Sequence, residues 1–399
     1  MKTFYLIILS LFIASCSTPT IKVVHYNIKE FSTDKIDDKN HLQVKNAALA
    51  LKGHPFDVLS LNEIQFDREG VPTPLQTTRG ENIKKLAAYF NVPEFTSVFH
   101  PANTGERAKK QKNGSYFTNA ASKEARAHAD QINFGLFPHQ YSTGALIKYK
   151  VISEVVVKDI KWKDFNPNLN LDQFRTPEGK KFPADMKLFD KNFTDIVADV
   201  DGHEVHFIFL HTVPAYHFGN KKSPNYKRNA DQLRFLEWYL TGATDIDVNL
   251  SSLKPLSSKD TFIAMGDFNT DINNLENEGS VVLNRLFKKS NTFIKTSEMS
   301  FTNEGGSYSP KPFRLMLDYI ISSKNLEPVS GGIIHPEWKK REELGCNGMP
   351  KMLPPSDLAL VSYIDQKKKQ ECWVLVDKQY QILKEASDHY PIWGHFKFK

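Results

Sequence analysis

Cysteine is scarce, with Cys16, Cys346 and Cys372 the only three in 399 residues, and none is spaced with histidine as a zinc site requires. A zinc-built scaffold is thereby excluded. Long blocks of one charge, low-complexity tracts and internal repeats of solenoid length are also missing. Their absence excludes a disordered chain and a repeat array. What is present is ordinary for a folded chain: 40% hydrophobic and 25% charged residues. The length exceeds the usual domain of roughly 100 to 200 residues, but roughly 250 to 300 can share one core, so one large domain with insertions is expected. The formal charge of +6 mildly favours an anionic partner, although the lysines are scattered and a solvated basic surface explains them as well.

The apolar run from Phe4 to Ile13, preceded by Lys2, is too short to span a bilayer and suits a secretory signal. Ile13-Ala14-Ser15-Cys16 follows and resembles the lipobox of bacterial lipoproteins, in which the cysteine is lipid-modified and begins the mature chain. Residues 1–16 are thus read as a lipoprotein signal peptide, 17–20 as a short tether and 21–399 as the working domain. An ordinary signal peptide, or a buried first strand with a free cysteine, are the alternatives. The reading predicts an extracytoplasmic protein anchored to a bacterial membrane through Cys16, with no obligate protein partner. That compartment permits a disulfide between Cys346 and Cys372, and two free thiols remain an open alternative.

Helical periodicity over Asn40–Leu51, Glu81–Phe90 and Asn229–Leu240 alternates with apolar β-branched runs, which predicts a layered α/β fold. Residues 101–137 lapse into polar sequence with interleaved lysine and aromatics and read as an insertion. Gly202 fits a hairpin turn between strands 193–200 and 205–210. Residues 241–259 read as a polar linker and the Pro- and Gly-rich segment 327–357 as a long loop; strands 358–364, 371–376 and 392–398 close the chain.

Five apolar runs end on polar groups. Ile21–Tyr26 precedes Asn27, Phe56–Leu61 precedes Asn62-Glu63, Val205–Leu210 precedes His211, Thr261–Met265 precedes Gly266-Asp267-Phe268-Asn269, and Arg314–Leu317 runs into Asp318. With Asp388-His389 before the last strand, one rim of the sheets would hold all of them. A single Asp or His after a strand is more often a turn residue or cap; an ordered set of this size is not. His25 and His206 lie within strands and are read as core residues.

These side chains suit hydrolysis of a phosphodiester, which demands neutralised phosphate charge, an activated water and a stabilised leaving oxygen. Glu63 is the leading ligand for a hard divalent cation, Mg²⁺ with Mn²⁺ or Ca²⁺ as alternatives, and Asn27 and Asp388 complete its shell. His389 is the candidate base, oriented by Asp318. Asp267 would align the water, Asn269 hold a phosphate oxygen and His211 stabilise the developing charge. Arg175 is a weaker candidate for phosphate contact, with a surface ion pair as the alternative.

In chain order, Tyr26-Asn27-Ile28, Leu61-Asn62-Glu63, Leu210-His211-Thr212-Val213-Pro214, Gly266-Asp267-Phe268-Asn269-Thr270-Asp271, Leu317-Asp318-Tyr319-Ile320 and Ser387-Asp388-His389-Tyr390-Pro391 resemble the endonuclease/exonuclease/phosphatase superfamily. The resemblance implies a four-layered α/β sandwich of the deoxyribonuclease-I type, two mixed sheets flanked by helices, with divalent-metal-dependent phosphoesterase activity. It also supports the roles given above. The chain departs from the family in having Asn62 where a glutamine commonly stands, and Thr143-Gly144 where an asparagine often does; the 101–137 stretch has no clear counterpart. A secreted, membrane-anchored nuclease is the leading expectation. A sphingomyelinase-type phospholipid or a small phosphoester is the alternative substrate, and a binding lipoprotein without activity is weakened by the intact set of acids and histidines.

Overall fold

The computed structural model of the chain describes residues 19–65, 67, 80–248, 250–292, 301–305, 308–335 and 341–399. Cys16 and the signal segment lie outside the described residues, as do residues 17 and 18 of the expected tether. No described helix is long and apolar enough to cross a membrane.

Two mixed sheets of six strands each carry the fold. In the first, β1 (Thr20–Phe31), β2 (Val58–Ile64), β3 (Thr96–His100), β4 (Ser142–Ile147), β13 (Leu326–Ile333) and β17 (Ile392–Phe398) lie in the order β13-β17-β1-β2-β4-β3. The second holds β5 (Lys150–Val157), β6 (Phe193–Val200), β7 (His203–His211), β8 (Thr261–Asp267), β9 (Asn291–Thr292) and β12 (Asp318–Ser322) in the order β5-β6-β7-β8-β12-β9. Each sheet has one parallel pair at its centre, β1 with β2 and β7 with β8, and antiparallel neighbours outside it.

Strict alternation along the central strands builds the layers. Val23, Val58, Phe207, Ile263, Met265 and Ile320 point between the sheets and form one buried core. Their neighbours Val24, Leu59, Ile208, Ala264 and Ile321 point outward. On the first sheet's outer face they meet helices Leu42–Ala50, Glu81–Tyr89 and Lys378–Ala386. On the second they meet helices Asn225–Thr241 and Glu278–Lys289. The result is the four-layered sandwich.

Two expectations are corrected. Segment 327–357 is no simple loop: most of β13 lies within it and forms an edge of the first sheet, and β14 (Arg341–Gly345) joins β15 (Leu358–Asp365) and β16 (Gln370–Asp377) in a three-stranded sheet. The Gly331-Gly332 pair, which reads as a loop, is accommodated because an edge strand packs few side chains. Nor does a strand 314–317 end on Asp318. A short hairpin of β10 (Asn303–Gly305) and β11 (Phe313–Leu315) precedes it, and Asp318 begins β12. Because β12 runs antiparallel to β8, pairing Asp318 with Asp267, the start of one strand reaches the rim that the end of the other reaches.

Residues 101–137 are mostly irregular around one short helix, Lys123–His128, with a small apolar cluster of Ala125, Ala129, Leu136 and Phe137. Buried Arg228 fastens this stretch, donating from Nη2 to Asn133 Oδ1 at 2.8 Å and from Nη1 to the Ile132 carbonyl at 3.2 Å. Cys346 and Cys372 form a disulfide, which ties the end of β14 to β16.

Candidate active site

The polar rim residues continue the alternation that fills the core. On β1 the inward series 21, 23, 25 and 27 ends in His25 and Asn27; on β2 it ends in Ser60 and Asn62; on β7 in His211; on β8 in Asp267. β12 opens with Asp318. At this rim the apolar filling gives way to a buried polar cluster drawn from both sheets.

Asp267 is its hub. Its Oδ2 accepts from Asn27 Nδ2 at 3.1 Å and Asn269 Nδ2 at 3.1 Å, and lies 3.5 Å from His211 Nε2 and 3.8 Å from His389 Nε2. Its Oδ1 accepts the Asn269 backbone N–H at 2.8 Å, and its own N–H donates to Asn62 Oδ1 at 3.1 Å. The departure at Asn62 therefore leaves an amide that fixes the hub's backbone. Asn269 adopts a left-handed backbone, φ 49°, which turns its amide back over Asp267 and onto the Thr212 carbonyl at 3.0 Å. Gly266 is required just before the hub, since a Cβ there would sit 1.7 Å from the Leu210 carbonyl oxygen of β7.

His389 hangs from the turn before β17 and sends Nδ1 to Asp318 Oδ2 at 2.8 Å. The second oxygen of Asp318 is held by His25 Nε2 at 3.1 Å, and His25 Nδ1 meets Ser60 Oγ at 3.0 Å. Thr302 Oγ1 accepts the Asp318 N–H at 2.9 Å. His25, read from sequence as a core residue, is thus part of the site. The available signal was its period-two spacing from Asn27, which puts both on the inward face.

Electrostatics separate the roles. Burial raises the Asp318 carboxyl, but His389 and His25 outweigh it and hold it well below the ordinary carboxylate range, so Asp318 is ionised. Burial opposes the His389 imidazolium, yet Asp318 and Asp267 push it up to about 10. Burial, with the Lys191 cation nearby, keeps His211 well below its usual value, and its Nδ1 is buried without a partner among the described residues. Lys191 itself is buried against Asp190 Oδ2 at 2.8 Å and the Thr212 carbonyl at 3.1 Å, a support that the sequence did not single out.

Ligand-bearing atoms of Asp267, Asp318 and His389 lie within 4.8 Å of one another. Both oxygens of Asp318 are already engaged by histidines, however, which makes this group a proton-handling array more than a cage for a hard cation. Beside it lie oxygen donors of the kind a hard cation takes. Burial pushes the Glu63 carboxyl up to about 7, with Asp388 and Glu30 adding repulsion. Asn27 donates from Nδ2 to Glu63 Oε1 at 3.2 Å while its Oδ1 accepts the Lys29 N–H, so in this geometry it aligns carboxylates. Asp388 sits at the edge, 3.4 Å from Lys29 Nζ. The structure does not join Arg175 to this cluster: its guanidinium donates to the carbonyls of Asp172 and Phe174.

A four-layered sandwich whose two sheets jointly carry a buried histidine–carboxylate array beside clustered carboxylates defines a metal-dependent phosphoric ester hydrolase. The model of the endonuclease/exonuclease/phosphatase family matches residues 24–389, and the chain belongs to that family. Among solved structures it is similar to an endonuclease/exonuclease/phosphatase from Beutenbergia cavernae, at 12% identity over 95% of this chain and 72% of that one, TM-score 0.48. A family protein from Bacteroides thetaiotaomicron matches at 11% identity over 96% and 99% of the two chains, TM-score 0.46. Sphingomyelinase C from Streptomyces griseocarneus matches at 15% identity over 95% and 99%, TM-score 0.45. No curated protein matches the chain.

Proposed function

We propose that this phosphoesterase is a nuclease, hydrolysing phosphodiester bonds of nucleic acid outside the cytoplasm while held at a bacterial membrane through a lipidated Cys16. The observation that carries the catalytic part is the buried His389–Asp318–His25 chain facing Asp267 across 3.8 Å. In this reading Asp267 aligns the attacking water and His389, as the neutral imidazole, takes its proton at Nε2, a form that Asp318 and Asp267 confine to alkaline pH while no cation is bound beside them. Asp318 stabilises the imidazolium so formed, and His25 keeps Asp318 from turning away. His211, held neutral, donates from Nε2 to a phosphate oxygen, and the Asn269 amide holds another. Glu63 and Asp388 would hold a divalent cation, Mg²⁺ by the hardness of the oxygen donors, which when bound supplies charge neutralisation at the phosphate and the leaving oxygen.

The basic excess of the chain supports a polyanionic substrate, and the Cys346–Cys372 disulfide supports an oxidising compartment. The test is to incubate the chain lacking residues 1–16 with plasmid DNA, RNA, sphingomyelin and a chromogenic phosphodiester, in Mg²⁺ or EDTA, beside Glu63→Ala. Metal-dependent cleavage of nucleic acid, lost in the variant, is the expected result. Cleavage of the lipid or the small diester alone would overturn the substrate and keep the mechanism. Membrane retention of the full chain that disappears on Cys16→Ala tests the anchor.

A further inference from the structure

The loop that follows His211 leaves two aromatic rings in water beside the reaction centre. Tyr216 is 58% and Phe218 68% exposed, and the rings meet edge to face at 5.1 Å and 89°. Neither ring belongs to a buried core cluster among the described residues. Phe218 also holds a left-handed backbone, φ 47°, which bulky side chains rarely adopt.

The loop itself is firmly tied. The Ala215 N–H donates to the Asn269 carbonyl at 3.1 Å, Asn225 Nδ2 to the Tyr216 carbonyl at 3.1 Å, and Asn220 Nδ2 to the Arg175 carbonyl at 2.7 Å. Lys221 and Lys222 follow at once and are exposed. The rings are therefore presented at a fixed place, one residue beyond the contact with Asn269, with cations a few residues farther out.

We propose that Tyr216 and Phe218 form a stacking platform for an unpaired nucleobase next to the scissile phosphate, with Lys221 and Lys222 meeting the next phosphates of the strand. The proposal rests on the nuclease reading and sharpens it to single-stranded or frayed nucleic acid. Aromatic faces interleaved with lysine recognise any base through its π-surface, without reading sequence. A lipid surface would also take exposed rings, but two rings braced against each other on a tied loop offer a small, rigid contact suited to one planar group.

The test measures binding of a single-stranded oligonucleotide carrying 2-aminopurine, in EDTA so that no cleavage occurs, to the wild type and to Tyr216→Ala/Phe218→Ala. The expected result is quenching by the wild type and an affinity loss of at least about fivefold per ring in the variant. An abasic strand of the same length should bind both proteins equally. Phe218→Asn, which suits a left-handed backbone, should raise the melting temperature while weakening the base-bearing strand, a combination that a purely structural role would not give. Equal binding of the base-bearing strand by wild type and double variant would overturn the platform. So would an equal loss on the abasic strand, or loss of binding to phosphatidylglycerol vesicles with strand affinity unchanged. If the wild type cleaved no nucleic acid in Mg²⁺, the nuclease reading would fail, while base-dependent quenching would still report on the platform.

Discussion

At the scale of residues, the site divides into groups that would touch a substrate and groups that aim them. His25 belongs to the second kind, because it is fully buried and its side chain bonds to Asp318 and Ser60. Replacing it by alanine should lower kcat roughly 10- to 100-fold with KM little changed. His25→Gln, whose amide can still donate to Asp318 Oδ1, should recover part of that loss. A fall in KM-dependent binding instead, or no recovery in the glutamine variant, would show that His25 is only filling space. His389→Ala, by comparison, should cost about 10²- to 10⁴-fold in kcat, read in steady-state assays. Most of the touching groups were legible in the sequence because each is the polar stop of an apolar run. His25 was not, since one polar residue inside a strand has the same local pattern whether it packs in a core or reaches across to a facing sheet. What distinguishes the cases is Asp318, 293 positions away in the chain.

At the scale of elements, positions are set by how closely strands approach. The Cβ that Gly266→Ala would add meets backbone of β7, which cannot swing aside as a side chain can. That variant should lose at least about 1–3 kcal/mol of stability, measured by denaturant unfolding, and its activity should fall further than its folded fraction. A second feature ties β6 and β7 to the helix Asn225–Thr241: Asp195 Oδ2 accepts from Tyr239 Oη at 2.7 Å and lies 2.8 Å from His206 Nδ1. Burial opposes protonation of His206, but Asp195 outweighs it and raises the histidine above its ordinary value. A group raised on folding binds its proton more tightly in the folded state. Its contribution is therefore complete below the unfolded value of about 6.5 and is lost as pH rises through the folded value. Urea midpoints taken across that range should fall with pH in the wild type and be flatter in His206→Gln. Helices near Asn40–Leu51, Glu81–Phe90 and Asn229–Leu240 and the β6–β7 hairpin were readable from sequence, whereas the amphipathic helices Glu278–Lys289 and Lys378–Ala386 were not picked out. The edge strand β13 was not, because its Pro and Gly carry the signature of a loop and its pairing with β17 is a long-range choice. Asp318 was placed on the right rim by an incorrect strand, since antiparallel pairing lets a strand's start do what another's end does.

At the scale of the whole molecule, the disulfide and the seam make opposite predictions. Cys346 and Cys372 are 26 positions apart and join the end of β14 to β16 in a three-stranded sheet that carries none of the catalytic residues and packs Val374 and Val376 on the outer core of the first large sheet. Replacing both by serine should cost about 3 kcal/mol of stability with turnover on a soluble diester retained. The space between the two large sheets behaves otherwise. Phe207, Met265 and Ile320 fill it, and the reacting groups lie at its open end: Asn27, Glu63 and His389 carried by one sheet, His211, Asp267 and Asp318 by the other. Trimming Met265 to alanine should remove about 2–5 kcal/mol of stability and should depress kcat even in molecules that remain folded, as measured by activity per folded protein.

The sandwich works as a caliper. The jaws are the two sheets, the screw is the row of apolar side chains between them, and the gap being set is the few ångströms from His389 to Asp267. A shift of one sheet along the other by a single residue, about 3.3 Å, would change that gap by nearly its own width. Loops at the mouth can therefore be exchanged to suit one phosphodiester or another, while the thickness of the core beneath them is held to the tolerance of the chemistry.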